Sequence, residues 1–520
     1  MADDAAFEPD IPERFNLAHY LLDARIEEGR GDRVAIHDAG TGRDLSYAWV
    51  QRESNRLAWV LRDLGIGMED RVLIALPDGA EFAAAFFATL KLGAVVVMVN
   101  TELPVDDYAY YLDYTRAKAL VTHTDLALRA GAVIRGARFL RACLVAGPEA
   151  GGFLSYEARV NVAPAHFTNA DTGRDDFAIW LFTSGSTGKP KAAVHMHHDF
   201  AYNIEGYAKR VLGLRESDVT IGVPKLFFGY ATGTNLMFPF AVGASTVLFP
   251  DKATPERLFE LILRHRPTFL TTVPTMINKM LSHESASGQD LSSLRVCVSA
   301  GEALPPDLYD RWKARFGVEI LDGIGSAELF HIYISNYPGD VRAGCLGRLV
   351  PGYQARVARP DGTDAPDGEI GTLWVKGDSA AVYYFGAHEK SKEVLRGDWV
   401  VSGDLFRREP GGYFYYEGRA DDMLKVGGIF VSPLEVENTL LQHAAVQECC
   451  VVGYEDEAGL VKPKACVVPK PGRVPGEALW TELADFLRGK LAHYKVPRRW
   501  EARAALPRND RGKVLRRELR

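Results

Sequence analysis

Residues 183 to 191 read Thr183, Ser184, Gly185, Ser186, Thr187, Gly188, Lys189, Pro190 and Lys191: two glycines, four hydroxyls and two lysines in nine positions. Glycine lets backbone N–H groups approach an anion closely, hydroxyls add donors, and lysine brings compact positive charge. The chemistry is that of a polyphosphate cradle. An apolar run at 177–182 precedes it, so the loop is predicted to leave a strand at a sheet edge. A Walker loop is excluded, because Gly185 and Gly188 are two residues apart and Lys189 is followed by proline. The dinucleotide pattern GxGxxG is absent here, and Pro190 argues against the loop running straight into a helix, which both motifs require.

Five further clusters follow in order. They are Ser299, Ala300, Gly301, Glu302, Ala303 and Leu304; then Asp322, Gly323, Ile324, Gly325, Ser326, Ala327 and Glu328; then Ser402, Gly403 and Asp404. Gly418, Arg419, Ala420, Asp421 and Asp422 come next, and Leu506 to Lys513 close the series. Together with the first loop they resemble the motifs of the adenylate-forming superfamily, which holds acyl- and aryl-CoA ligases, peptide-synthetase adenylation domains and beetle luciferase. The resemblance spans nearly the whole chain. It implies ATP, Mg²⁺ and coenzyme A as reactants and helpers: an acid oxygen attacks the α-phosphate, giving an acyl-adenylate and pyrophosphate.

By motif position, the resemblance makes Thr183 to Lys189 the phosphate loop and Ala300, Gly301 and Glu302 the adenine-side loop. Asp322, Gly323, Ile324, Gly325 and Ser326 join the nucleotide site. Glu328 would hold Mg²⁺, Asp404 the ribose hydroxyls, and Arg419 ribose or phosphate. Lys513 would bridge carboxylate and α-phosphate, and with Glu328, Lys189 and Thr183 forms the implied catalytic set. In the family the C-terminal cap turns about the position of Asp421, withdrawing the lysine and presenting Gly427 and Gly428 to the thiol of coenzyme A. One departure stands out. The family's threonine before the motif glutamate is Ala327 here, a hydroxyl worth about 0.5–1.5 kcal/mol if it bonds a phosphate or carboxylate.

The loops facing the acid resemble those of benzoate-CoA ligases more than those of acetate or long-chain fatty-acid enzymes. Phe228, Gly229, Tyr230, Ala300, Gly323, Gly325, His331, Ile332 and Lys425 are the expected acid site. Aromatic and aliphatic side chains suit a flat apolar slot, and the glycines are expected to leave room where a ring lies against backbone. Benzoate or an ortho-substituted relative such as 2-aminobenzoate is the implied acid, and His331 is a candidate partner for a polar substituent. Other readings stay open: an aryl-acid adenylation enzyme loading a carrier protein, a luciferase-type oxygenase, or a catalytically silent acid- or nucleotide-binding protein.

Elements must position these loops, and the sequence alternates accordingly. Strand-like runs at 71–77, 94–98, 268–273 and 295–299 are followed by helical stretches at 80–92, 274–281 and 306–316. Such alternation predicts an α/β protein with parallel, doubly wound sheets whose ligand loops lie at strand ends. At 520 residues the chain exceeds one hydrophobic core. The resemblance implies a large N-terminal domain, 1–420, of parallel-type sheets flanked by helices with a small β-barrel-like subdomain. A small mobile α+β domain, 421–520, follows.

Net charge of −7 disfavours a general nucleic-acid binder. Basic residues crowd 488–520, which suits either a solvated face or the phosphates of coenzyme A. The six cysteines have no metal-ligand spacing, and reduced thiols in a cytoplasmic protein account for them. No apolar run approaches the ~20 residues that span a bilayer, and a monomer or homodimer is expected.

Overall fold

The computed structural model describes residues 7–183, 189–426, 429–457, 460–508 and 514–520. Two large sheets dominate. The first has eight strands in the order Tyr383–Tyr384, Lys191–Met196, Phe177–Thr183, Val95–Met98, Arg71–Ala75, Ala119–His123, Ala142–Ala146 and Leu154–Ser155. From Phe177–Thr183 onward its pairings are parallel, and the Lys191–Met196 pairings are antiparallel. Strands covered on both faces show runs instead of alternation. Accordingly, all of Val95–Met98 is buried, and every residue of the phenylalanine-rich helix Ala80–Lys91 except Glu81 is buried.

The second sheet has nine strands, with Ile320–Gly325, Val296–Ser299, Phe269–Thr272, Val219–Gly222, Ser245–Leu248 and Val34–Asp38 as its parallel core. Antiparallel strands, Ile332–Ser335 among them, complete its edges. Helix Pro306–Phe316 returns the chain between two core strands. Proline occupies its first turn and Gly317, at φ +71°, its C-terminal cap, each suited to its end.

The first-loop strand is not at a sheet edge, contrary to the sequence expectation. After the loop the chain doubles back, Thr183 pairing with Lys191, and the small side chains of Ala192, Ala193 and Val194 are fully buried. Phe177–Thr183 therefore lies inside the sheet, and Pro190 precedes a strand.

A five-stranded antiparallel sheet follows, built on Gln354–Ala358, Ile370–Lys376, Trp399–Glu409, Leu395–Arg396 and Tyr413–Arg419. Its pairings do not close into a ring. Beyond Asp422 the chain forms a hairpin of Leu424–Val426 and Ile429–Val431, then a three-stranded sheet of Val446–Glu455, Val461–Pro469 and Arg499–Ala502. Helices Pro433–Leu441 and Glu477–Arg488 cover this unit around a core of its own, including Val436, Leu440, Val451, Val467 and Leu483. Among the described residues no helix is long and apolar enough to cross a membrane.

Candidate active site

Carboxyl ends of parallel strands converge on one cleft of about 1150 Å³, the usual place for ligand loops in such sheets. Thr183 ends Phe177–Thr183, residues 300–302 follow Val296–Ser299, and Asp322 to Gly325 end Ile320–Gly325. Thr183, Gly301, Glu302, the stretch 322–328, Asp404 and Arg419 line the cleft, and Arg508 and Arg516 border it from the C-terminal unit. Residues 184–188 lie outside the described residues. At the loop's exit, the Tyr110 hydroxyl donates to the Pro190 carbonyl at 2.6 Å, and Tyr110 stacks on Tyr114 at 5.3 Å. Lys189 is exposed, with its Nζ 5.0 Å from the Tyr110 ring centre.

Glu328 is fixed from two sides. The Tyr384 hydroxyl donates to its Oε1 at 2.6 Å, and the Ala381 N–H donates to its carbonyl at 2.8 Å. Burial and the neighbouring carboxylate push the Tyr384 phenol well above its ordinary pKa, so it remains a donor. The second carboxylate oxygen has no protein hydrogen bond among the described residues. Two residues on, Phe330 holds φ +66° and ψ −59°, and the His331 N–H donates to the Leu329 carbonyl at 2.8 Å. This is a γ-turn of the rare, strained kind. The Phe330 ring is wedged against Phe200, 4.6 Å between centroids.

Asp404 and Arg419 face each other across an antiparallel hairpin, with 3.3 Å between Oδ1 and Nη1. A Cβ at Gly403 would come within 2.5 Å of the Arg419 Nη2, so glycine lets the guanidinium close on this hairpin. Asp322 is buried, its Oδ1 has no partner among the described residues, and burial pushes its carboxyl up to about 8. Glu302 accepts from the Thr275 hydroxyl at 2.7 Å and faces Arg508 at 3.4 Å.

The expected acid site divides. Gly323 and Gly325 line the cleft, whereas Ala300, Phe228, Gly229, Tyr230, His331 and Ile332 do not. His331 Nε2 donates to the Tyr230 carbonyl at 3.0 Å, and its ring packs on Phe238 at 4.7 Å. Ala300 and Ile332 are buried, and Phe228 packs on Phe227 at 4.3 Å. The two glycines also answer to a different constraint from the one expected. A Cβ at Gly323 would meet the Ile334 carbonyl oxygen at 2.8 Å, and one at Gly325 the His331 oxygen at 2.5 Å. The neighbouring strand excludes side chains there. At Gly229 a Cβ would meet the Leu181 side chain at 3.3 Å.

Burial lowers the His331 pKa to about 3, so the ring is neutral. A carbonyl only accepts, which puts the proton on Nε2 and leaves Nδ1 as an acceptor without a partner among the described residues. The backbone of Lys425 lies in Leu424–Val426, and that of Asp421 in the short turn Ala420–Asp422. Their side-chain roles, and those of Gly427, Gly428 and Lys513, lie outside the described residues.

Sequence reasoning missed Tyr384, the γ-turn at Phe330 and the Tyr110 clamp. None has a local signal: Tyr384 and Tyr110 have partners distant in sequence, and phenylalanine does not advertise a positive φ.

The model of the AMP-binding enzyme family matches residues 23–385, and that of the AMP-binding enzyme C-terminal domain matches 435–513. The chain is 43% identical over 513 residues to the benzoate–CoA ligase of Thauera aromatica, covering 98% of this chain and 96% of that one. It superposes on anthranilate CoA ligase AuaEII in complex with anthranoyl-AMP with a TM-score of 0.93 at 40% identity, over 98% and 97% of the two chains. For a benzoate CoA ligase from Burkholderia xenovorans LB400 the TM-score is 0.90 at 39% identity, over 97% and 100%. Full-length likeness of this degree, on a cleft built from these loops, leaves one assignment: the chain belongs to the AMP-binding enzyme family.

Proposed function

We propose that the protein is an AMP-forming aryl-CoA ligase acting on benzoate or a substituted relative. The observation that carries this reading is the meeting in one cleft of Thr183, the strand end at 322–326, Glu328 and the Asp404–Arg419 pair. Tyr207, Tyr230 and Phe238 pack around the His331 ring, and the His331 backbone lies against Gly325. Similarity to benzoate and anthranilate CoA ligases supports the acid and the thiol.

The chemistry needs a better leaving group on the acid. A carboxylate oxygen attacks the α-phosphorus of ATP, the bond to pyrophosphate breaks, and an aryl-adenylate forms. The sulfur of coenzyme A then attacks the carbonyl carbon and AMP departs. Asp404 and Arg419 would hold the ribose side, residues 300–302 and 322–326 the adenine side, and Thr183 to Lys189 the phosphates. Lys513 would join the two reacting groups, with Asp421 as hinge, Lys425 near the carboxylate, and Gly427 and Gly428 lining the thiol's approach.

Mg²⁺ bound through one carboxylate and substrate phosphates suits this donor set. Glu328 offers one oxygen not engaged by protein, and no group of three or more His, Cys, Asp or Glu able to hold a metal occurs among the described residues. Bound there, the ion would neutralise charge on the phosphates, and the Tyr384 hydrogen bond would hold the Glu328 carboxylate in place for it.

A panel of aryl and alkyl acids tests this, assayed for AMP and pyrophosphate with coenzyme A, with a carrier protein, and with neither. Expected are AMP and aryl-CoA from benzoate or 2-aminobenzoate, Mg²⁺ dependence, and little turnover of fatty acids. Release of ADP overturns the adenylation reading, and preference for long alkyl chains overturns the aryl one. Product on the carrier protein alone moves the assignment to a loading enzyme.

A further inference from the structure

His195 is fully buried and has both ring nitrogens engaged. It lies in Lys191–Met196, the strand that returns from the phosphate loop. Its Nε2 is 2.7 Å from the carbonyl oxygen of Ala327, and its Nδ1 is 2.7 Å from Oδ2 of Asp199, whose side chain is also fully buried. Direction follows from chemistry. A carbonyl oxygen only accepts, so Nε2 carries a proton and donates it. Asp199 then holds the ring from the other side, with one further proton shared between Nδ1 and the carboxylate. The same carboxylate oxygen accepts from the Met196 N–H at 3.2 Å, which ties it to the helix start at His197–Asn203.

What this donor reaches is the residue before Glu328. Three successive carbonyls of the short turn Ala327–Leu329 each have a distant donor: His195 Nε2 for Ala327, the Ala381 N–H for Glu328, and the Ser379 hydroxyl for Leu329 at 3.0 Å. The strained γ-turn at Phe330 comes next, and such a conformation persists only where its surroundings over-determine it. Alanine at 327 has no side-chain polar group with which to anchor itself. Its carbonyl is its polar handle, and His195 holds it.

We propose that His195, oriented by Asp199, is a positioning residue that sets the direction of the Glu328 carboxylate through the Ala327 carbonyl. The inference rests on Glu328 acting as the carboxylate for a nucleotide-bound Mg²⁺.

Glutamine and asparagine separate a positioning role from a packing one. The amide nitrogen of glutamine reaches the place of Nε2 and still donates to Ala327, whereas that of asparagine reaches only the place of Nδ1. The measurement is ATP affinity by calorimetry with and without Mg²⁺, with no acid present. In H195N and H195F the gain in ATP affinity on adding Mg²⁺ should shrink at least tenfold, while Mg²⁺-free binding stays within threefold of the parent. H195Q should keep the gain to within threefold. If H195F does not fold, the comparison of H195N with H195Q decides. Equal Mg²⁺ responses in those two overturn the anchor, as does a wild-type response in H195F. A parent protein whose ATP binding ignores Mg²⁺ instead sinks the reading of Glu328, and this inference with it. Failure to use aryl acids would touch neither measurement.

Discussion

Asp322 has a carboxyl that burial pushes up to about 8, so at neutral pH it is largely a neutral acid at the edge of the nucleotide cleft. The sign of its effect on stability follows from proton counts. Between an unfolded value near 4 and the folded value near 8, the folded chain binds the proton more tightly, so rising pH costs stability across that window and none above it. Asp322→Asn removes the group. Its stability should gain on wild type by up to ~1.4 kcal/mol per pH unit through the window and stop gaining above about 8, read from urea unfolding at pH 7, 8 and 9. A constant difference across these pH values would contradict the assigned shift. His331 and His197, each lowered to about 3 by burial, act in the opposite sense. The unfolded chain binds their protons below about 6.5, so they lower stability as pH falls from there towards 3. Measurements above pH 6.5 therefore isolate Asp322 from these two histidines.

The hairpin of Trp399–Glu409 and Tyr413–Arg419 places the two charges proposed for the ribose side by register, Asp404 opposite Arg419. Gly403 is the residue that permits it. In Gly403→Ala the added methyl would overlap the guanidinium, the flexible end of a side chain, so the strand should stay and Arg419 should swing away from Asp404. About tenfold weaker AMP binding is expected, ~1.4 kcal/mol, with the thermal midpoint nearly unchanged. Unaltered AMP affinity would separate the pair from nucleotide binding. Elements of this kind show how far the sequence reaches. The strand–helix alternation is legible because its signal is local: an apolar run followed by a helical stretch. Helix Pro306–Phe316 has the expected limits because proline and Gly317 mark its ends. The return strand after Pro190 was not foreseen, since pairing depends on partners elsewhere in the chain. Nor was the link from His195 to Ala327, 132 residues apart. The glycines at 323 and 325 were legible as unusual, but the close approach of the adjacent strand, which by itself excludes a Cβ there, was not.

At the scale of the molecule, Arg508 joins the two units. It faces Glu302 of the large domain at 3.4 Å and Glu448 of the C-terminal unit at 2.9 Å. Glu302 belongs to the loop proposed for the adenine side, and Arg508 precedes Lys513 by five residues. Asp422, next to the proposed hinge, faces Arg516 and Arg520 within the same unit. A cap that turns between half-reactions must part Arg508 from Glu302 while keeping its contact with Glu448, which travels with it. The first pair would then favour the orientation seen here and contribute nothing to the other. Partly exposed ion pairs contribute about 0.2–1 kcal/mol, so Arg508→Met should slow aryl-adenylate formation by a few-fold at low salt. Thiolation of a supplied aryl-adenylate should be unaffected or slightly faster. Because exposed charges are screened by added ions, the deficit should narrow in 0.5 M salt. Equal losses in both half-reactions, or a deficit indifferent to salt, would mean that Arg508 serves the fold of the C-terminal unit and not the choice between its orientations.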